Sequence, residues 1–294
     1  MKLFAKNIIF ATGSTSTLAI LERSGIGSPR VLEQLGIQVK YSHPGVGENL
    51  QDHMHRRVAF RVKKAKTLNQ KFNSIFGNLG MGIEYLISRS GPLCIATSQL
   101  GAFFKSSESM NRADLKFHVQ PLTTVRLGAK LHYFPDSTAD VSNVRPLSTG
   151  SIHIQSELAI YPSSIDSKYL STKSDRNIAV KSIERAREIF CQKSLRECAP
   201  VEFKPGVRFI TQSDILRSAG DIGTTIFHPF GTAKMGSESD HYSVVDHKLR
   251  VHELDGLFIA DASIMPSIIS GITNATKVMI AQSLASRWKE IELC

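Results

Sequence analysis

Two short apolar runs, one near each end of the chain, constrain this protein most. Residues 7–13 read NIIFATG and residues 256–261 read GLFIAD. Each is too short for a helix and is bounded by turn residues, so each is expected to form a buried strand of a parallel sheet. One ends in Thr-Gly and the other in a carboxylate, at the carboxyl edge where α/β sheets bind ligands. Segments near 1–55 and 220–294 are therefore expected to build one parallel α/β unit.

The intervening residues have a different character. VAFRV at 58–62 and GSIHIQSE at 150–157 alternate apolar with polar side chains, the pattern of half-exposed antiparallel strands. FNSIFGNLGMGIEYLISRS at 72–90 predicts a Gly-rich helix, and 123–148 lack periodicity and are expected to be loop. Ser171 or Thr172 caps a strong helix through Cys191, with Val180, Ile183, Ala186 and Phe190 on one stripe. In the first unit, a helix is expected over 14–24, a second starting at Ser28-Pro29, and a strand over 37–41. The last helix is expected over about 275–290, with Val278, Met279, Leu284 and Trp288 turned inward.

Composition excludes more than it selects. The net charge of +10 is spread along the chain, and its densest cluster, Lys63, Lys64 and Lys66, has no interleaved aromatics. A solvated basic face accounts for it better than a nucleic-acid site. No apolar run reaches the roughly 18–20 residues of a membrane span. MKLFAKNIIFATG has the basic start of a signal peptide, but Lys6 and Asn7 interrupt its apolar run and a Gly/Ser/Thr turn comes directly after it. The strand reading is preferred, and the compartment stays open. The cysteines, Cys94, Cys191, Cys198 and Cys294, form no CxxC pair and have no His partners at zinc spacing. His53 and His55 (HMH) lack a third ligand and are expected to be loop residues.

Three residues near the C-terminus carry the candidate chemistry. Asp261 ends its strand where an acid can accept hydrogen bonds from a polyol chain, or can simply cap the turn at Ala262–Ser263. His228 opens the turn HPFG; with a reference pKa of ~6.5, a histidine there suits removal of an alcohol proton, though a His before Pro is commonly a packing residue. Asn274 precedes the last helix, where it can serve as N-cap and can also hydrogen-bond a substrate oxygen. The helix N-terminus behind it offers N–H groups and a positive dipole end to developing negative charge.

Several motifs in order resemble the glucose–methanol–choline (GMC) flavin oxidoreductases. GSTSTLAILERSGIG at 13–27 is similar to the family's second signature, and PGVGENLQDH at 44–53 to the loop after it. HPFGTAKMG and SGITNATKVMIAQ are similar to the C-terminal catalytic block. RPLSTGSIHIQS and IDSKYLSTKSDRNIAVKSIERAREIF resemble the substrate-domain sheet and helix. In kind the chain looks like the C-terminal half of an insect glucose dehydrogenase-like member, a group whose enzymes are often secreted. The resemblance implies an α/β fold: a partial FAD-binding Rossmann-like domain (1–55, with a return over 220–294) plus an α+β substrate domain with an antiparallel sheet (56–219). It implies FAD as cofactor, a small alcohol or sugar as substrate, His228 as the catalytic base and Asn274 as the second active-site position. Gly13, Ser14, Asp261, Ala262, Ala275 and Thr276 match cofactor-binding positions.

The departures are equally specific. Leu18 stands where the signature usually has Pro, and Thr276-Lys277 replaces a usual Pro-Thr. The strand–GxGxxG–helix that holds the ADP end of FAD in the family's first half has no counterpart: GVGENL lies in a Pro-led loop, and GNLGMG at 77–82 is preceded by no strand. The chain alone is thus expected to bind FAD weakly or not at all, and the strand NIIFATG to have an open apolar edge. The alternative reading is a truncated, non-catalytic relative.

Overall fold

The computed structural model describes residues 4–94, 96, 98, 100–124 and 129–292; Cys294 lies outside them. The chain forms two compact units, one of residues 1–53, 145–171 and 226–294, the other of residues 54–144 and 172–225. The fold is mixed α/β with antiparallel strands, and among the described residues no helix is long and apolar enough to cross a membrane.

In the first unit the strands Ile8–Phe10 and Leu257–Ile259 pair in parallel, Ile9 opposite Phe258. These are the two apolar runs, and they form a two-stranded sheet. Ile8 and Ile9 are 48% and 44% exposed, against the expectation of full burial, because among the described residues only one strand pairs with theirs. The core lies on the other side. Leu18 and Leu21 of the helix Ser16–Arg23 pack there with Val244, Val245, Phe258, Ile259 and Leu284. The helix Pro29–Gln34 starts as expected, with Pro29 at its first position. The strand expected over 37–41 is reduced to Tyr41–Ser42. Ser151–His153 pairs with Ser164–Asp166 in a hairpin of this unit.

The last helix spans Asn274–Glu292. Leu284 is buried and Trp288 packs edge-on against Phe258, but Val278 and Met279 are each 61% exposed. The inward stripe therefore runs through Ile280 and Leu284, four residues apart and so on one helical face; Val278 and Met279 fall outside it.

A carboxylate ties the two strand ends together. Asp261 Oδ2 accepts hydrogen bonds from Gly13 N–H (2.9 Å) and Thr17 Oγ1–H (2.6 Å). Its Oδ1 accepts from Ser263 N–H (2.8 Å) and so caps the turn Ala262–Ile264. Gly13 presents its N–H from φ +86°, a conformation that glycine adopts without steric cost.

A second electrostatic staple holds the hairpin. Fully buried Glu22 accepts from His153 Nδ1–H (2.7 Å) and Ile154 N–H (2.9 Å), while His153 Nε2 lies 3.2 Å from Glu48. The hydrogen bond to Glu22, then that to Glu48, raise the His153 pKa from 6.5 to about 9.

The second unit is a six-stranded antiparallel sheet in the order Val201–Lys204, Met54–Arg61, Asp136–Asn143, Leu115–Gln120, Leu100–Phe104, with Gly223–Thr225 also pairing the Met54 strand. The Met54 strand, expected to be half-exposed, is buried along most of its length. Its neighbours flank it on both edges, and Phe60 stacks on Phe190 of the helix Lys173–Phe190 (centroids 3.9 Å apart). That helix has the predicted pattern: Thr172 accepts from Asp175 N–H, and Val180, Ile183, Ala186 and Phe190 are buried. The helix expected over 72–90 runs Ile75–Ser88.

The segment expected to be loop contains a central strand, Asp136–Asn143. Its sequence, DSTADVSN, has little apolar content; Asp136 and Asp140 are buried with side-chain partners, while Asp136 Oδ1 and Ser142 Oγ have none among the described residues. Arg57 Nε donates to Asp140 Oδ1 (2.9 Å) and Gln120 Nε2 to Asp140 Oδ2 (3.0 Å), and His132 Nδ1 lies 2.9 Å from Asp136. Burial pushes the Asp140 pKa up and Arg57 counters it. Cys191 and Cys198 are free thiols.

The carboxylates of the first unit make two effects on stability measurable. Asp261→Ala leaves the Gly13 and Ser263 N–H groups unpaired and leaves the Thr17 hydroxyl only Thr12 as partner, and should lower stability to urea by about 3 kcal/mol. Asp261→Asn, which keeps an acceptor, should lose less. His153 has a folded pKa above its unfolded value, so its contribution is complete below about pH 6.5 and disappears as pH rises through 9. Stability from urea titrations should fall across that window by roughly 2 kcal/mol after allowance for the exposed Glu48 side, and His153→Gln should flatten the fall.

Candidate active site

The parallel pairing of the two apolar strands brings their carboxyl ends together, and a cavity of about 540 Å³ opens there. That is within the usual range of roughly 300–1,000 Å³ for small-molecule sites. Ala11 to Thr15 come after the first strand and Ala260 to Ala262 after the second; Lys277, Val278 and Ala281 of the last helix and Phe227 and Pro229 complete the lining. Its small residues, Ala11, Gly13, Ala260, Ala262 and Ala281, allow a planar group to lie close to the backbone. Ser14 is buried in this wall, and its hydroxyl has no hydrogen-bond partner among the described residues. Such a group costs stability unless a ligand satisfies it.

Of the sequence-predicted cofactor positions, Gly13, Ser14, Asp261 and Ala262 meet at this cavity. Asp261 has three of its roughly four acceptor sites committed to Gly13, Thr17 and Ser263. The cap reading of this residue is thus realised, with room for one further donor. Ala275, exposed, and Thr276, half-buried, lie in the first turn of the last helix, beside the lining residues Lys277 and Val278. Asn274 is the exposed first residue of that helix rather than its cap, and buried Thr273 holds the preceding position.

His228 stands between two cavity residues, Phe227 and Pro229, and its position is set by local backbone pairing. Gln51 and Phe230 exchange N–H···O bonds of 3.1 Å in both directions, and Ile226 N–H donates to the His53 carbonyl. Residues 51–53 and 226–230 therefore run side by side. Gly231 makes the close approach possible: it has φ +86°, and a Cβ there would lie 2.6 Å from the Asn49 carbonyl oxygen. Phe227 is held at φ +62°, a strained position for a bulky residue, of the kind that clusters at functional sites.

This pairing sets His53 against His228, Nδ1 to Nδ1, at 3.2 Å. One ring must donate and the other accept. When His228 donates from Nδ1, its Nε2 is the basic nitrogen. Asp52 accepts from the His228 backbone N–H (3.0 Å) and also from the Tyr169 hydroxyl. The carboxylate and tyrosine therefore fix the backbone that carries the imidazole.

The residue pattern does not mark His53, Asp52 or Tyr169 as site residues. Read for metal binding, His53 and His55 are a pair without a third ligand, yet they have separate surroundings: His53 faces His228, and His55 lies in the Met54 strand, edge-on to His118. The signal that could have found them is the family-like loop PGVGENLQDH, which ends on Asp52-His53.

Comparison with known proteins agrees with this geometry. Two family models, both described as GMC oxidoreductase, match residues 1–55 and 146–281, together more than half of the chain. The chain is 33% identical over 282 residues to the oxygen-dependent choline dehydrogenase of Pectobacterium carotovorum subsp. carotovorum, covering 96% of this chain and 50% of that relative. It is also 33% identical over 287 residues to the corresponding Proteus mirabilis protein, with 98% and 51% covered. The chain thus spans about half the length of the curated relatives it matches.

Among solved structures, pyridoxine 4-oxidase from Mesorbium loti superimposes with a TM-score of 0.82 at 24% identity, over 98% of this chain and 52% of that one. Aspergillus oryzae formate oxidase, from a study of FAD modification, gives 0.88 at 21% identity, over 98% and 55%. These two likenesses establish the shared fold. With both family models matched in order, around the paired strand ends and the His228 turn, the chain belongs to the GMC oxidoreductase family.

Proposed function

We propose that this chain provides the catalytic histidine and part of the FAD site of an oxidoreductase that oxidises a CH–OH group of a small alcohol or sugar. The observation that carries this reading is the His53–His228 pair, held by paired backbone segments next to a cavity at the ends of two parallel strands. A bound FAD would supply the hydride acceptor. His228 takes the hydroxyl proton, as a positioned imidazole of suitable pKa can. His53 fixes the tautomer of His228 and shares the resulting positive charge, and Asn274 orients the substrate oxygen. Gly13, Ser14, Asp261, Ala262, Ala275 and Thr276 hold the cofactor. The curated relatives are named for choline, itself an alcohol, which supports an alcohol substrate; a sugar is the alternative that the family resemblance leaves open.

The second reading is a non-catalytic relative, in which the His53–His228 pair and the cavity persist without turnover. Anaerobic bleaching of the flavin absorbance separates the two. The FAD-loaded chain should bleach with choline or glucose. His228→Ala should slow bleaching by about 10²–10⁴-fold, and His53→Ala by about tenfold with a shifted pH profile. FAD that is held but bleached by neither compound would favour the non-catalytic reading.

A further inference from the structure

The cavity wall carries a charge that the fold does not explain. Lys277 lies in the first turn of the last helix, half-buried and lining the cavity, and none of the ion pairs among the described residues involves it. A cation is disfavoured at that end of a helix, where the free N–H groups already present positive charge. The residue also breaks the Pro-Thr pattern usual at this point in the family. Ser14, in the same wall, has a buried hydroxyl with no hydrogen-bond partner among the described residues. Asp261, the acid of the cavity, is hydrogen-bonded to Gly13, Thr17 and Ser263 and is not paired with Lys277.

An unpaired ammonium and an unsatisfied hydroxyl in one cavity call for a ligand that brings negative charge and acceptor atoms. We propose that Lys277 and Ser14 receive the ring system of the flavin, and that Lys277 makes the site prefer reduced, anionic FAD to oxidised FAD. This inference rests on the FAD reading of the cavity. The oxidised ring is neutral and the reduced ring can carry a negative charge, whereas the phosphates are negative in both forms. A lysine that faces the ring therefore discriminates between the redox states; one that faces the phosphates strengthens both equally.

Anaerobic equilibrium dialysis against oxidised and dithionite-reduced FAD tests the assignment with no substrate present. The wild-type chain should hold reduced FAD about tenfold more tightly than oxidised FAD, the scale of one charge–charge interaction in a partly solvated site. Lys277→Met should lose most of that ratio and Lys277→Arg should keep it. Ser14→Ala should weaken both forms alike, by about threefold. An unchanged ratio in Lys277→Met overturns the proposal, and an equal loss for both forms overturns it by placing the lysine on the phosphates. If the folded wild-type chain binds neither form at millimolar FAD, the proposal is overturned for this chain, because its cavity then does not receive the flavin ring.

Discussion

The candidate site depends on one carboxylate. Asp261 joins two stretches of chain nearly as far apart as the sequence permits, through hydrogen bonds to Gly13 and Thr17 on one side and Ser263 on the other. Parallel pairing alone aligns the two strands over three residues each. The carboxylate fixes the turn from the first strand into the helix Ser16–Arg23 and the turn at Ala262–Ile264, and these turns are the strand side of the cavity. A hydrogen bond to an ionised acceptor is about twice as strong as a neutral one, which suits a contact that must close so long a loop.

Backbone contacts between distant segments also govern the histidine pair. His53 is buried, and each of the two residues is carried by backbone that runs beside the other's. The Gln51–Phe230 exchange, the close approach at Gly231 and the positive φ of Phe227 together aim His228. Sequence distance makes this unexpected, since the whole second unit lies between His53 and His228 in the chain. A loop supported in this way gives a base a defined direction without burying it, as proton transfer to a substrate requires.

Legibility in the sequence divides along physical lines. Apolar runs and capped amphipathic stripes report on burial directly, so the two strands, the Thr172 helix and the start of the Pro29 helix are readable. Strand Asp136–Asn143 is not, because Asp136 and Asp140 are buried through partners (His132, Arg57, Gln120) that the strand's own pattern does not reveal. Alternation identifies the Ser151–His153 strand but carries no record of which sheet it joins. Val278 and Met279 depart from expectation because apolar character alone does not imply burial, and exposed apolar side chains are ordinary. At the site, Asp261, Gly13 and Ser14 are found from strand ends. His53 is hidden because the HMH pattern points to metal ligation and says nothing of a neighbour as distant in sequence as His228.

The central claim is that the strand ends and the last helix form the cofactor pocket, and hydrogen–deuterium exchange with and without FAD tests it most directly. Protection on adding FAD should be confined to peptides covering residues 11–17, 226–230, 260–263 and 273–281. Protection elsewhere with these four segments unchanged would contradict the account, since the cofactor would then occupy a different surface.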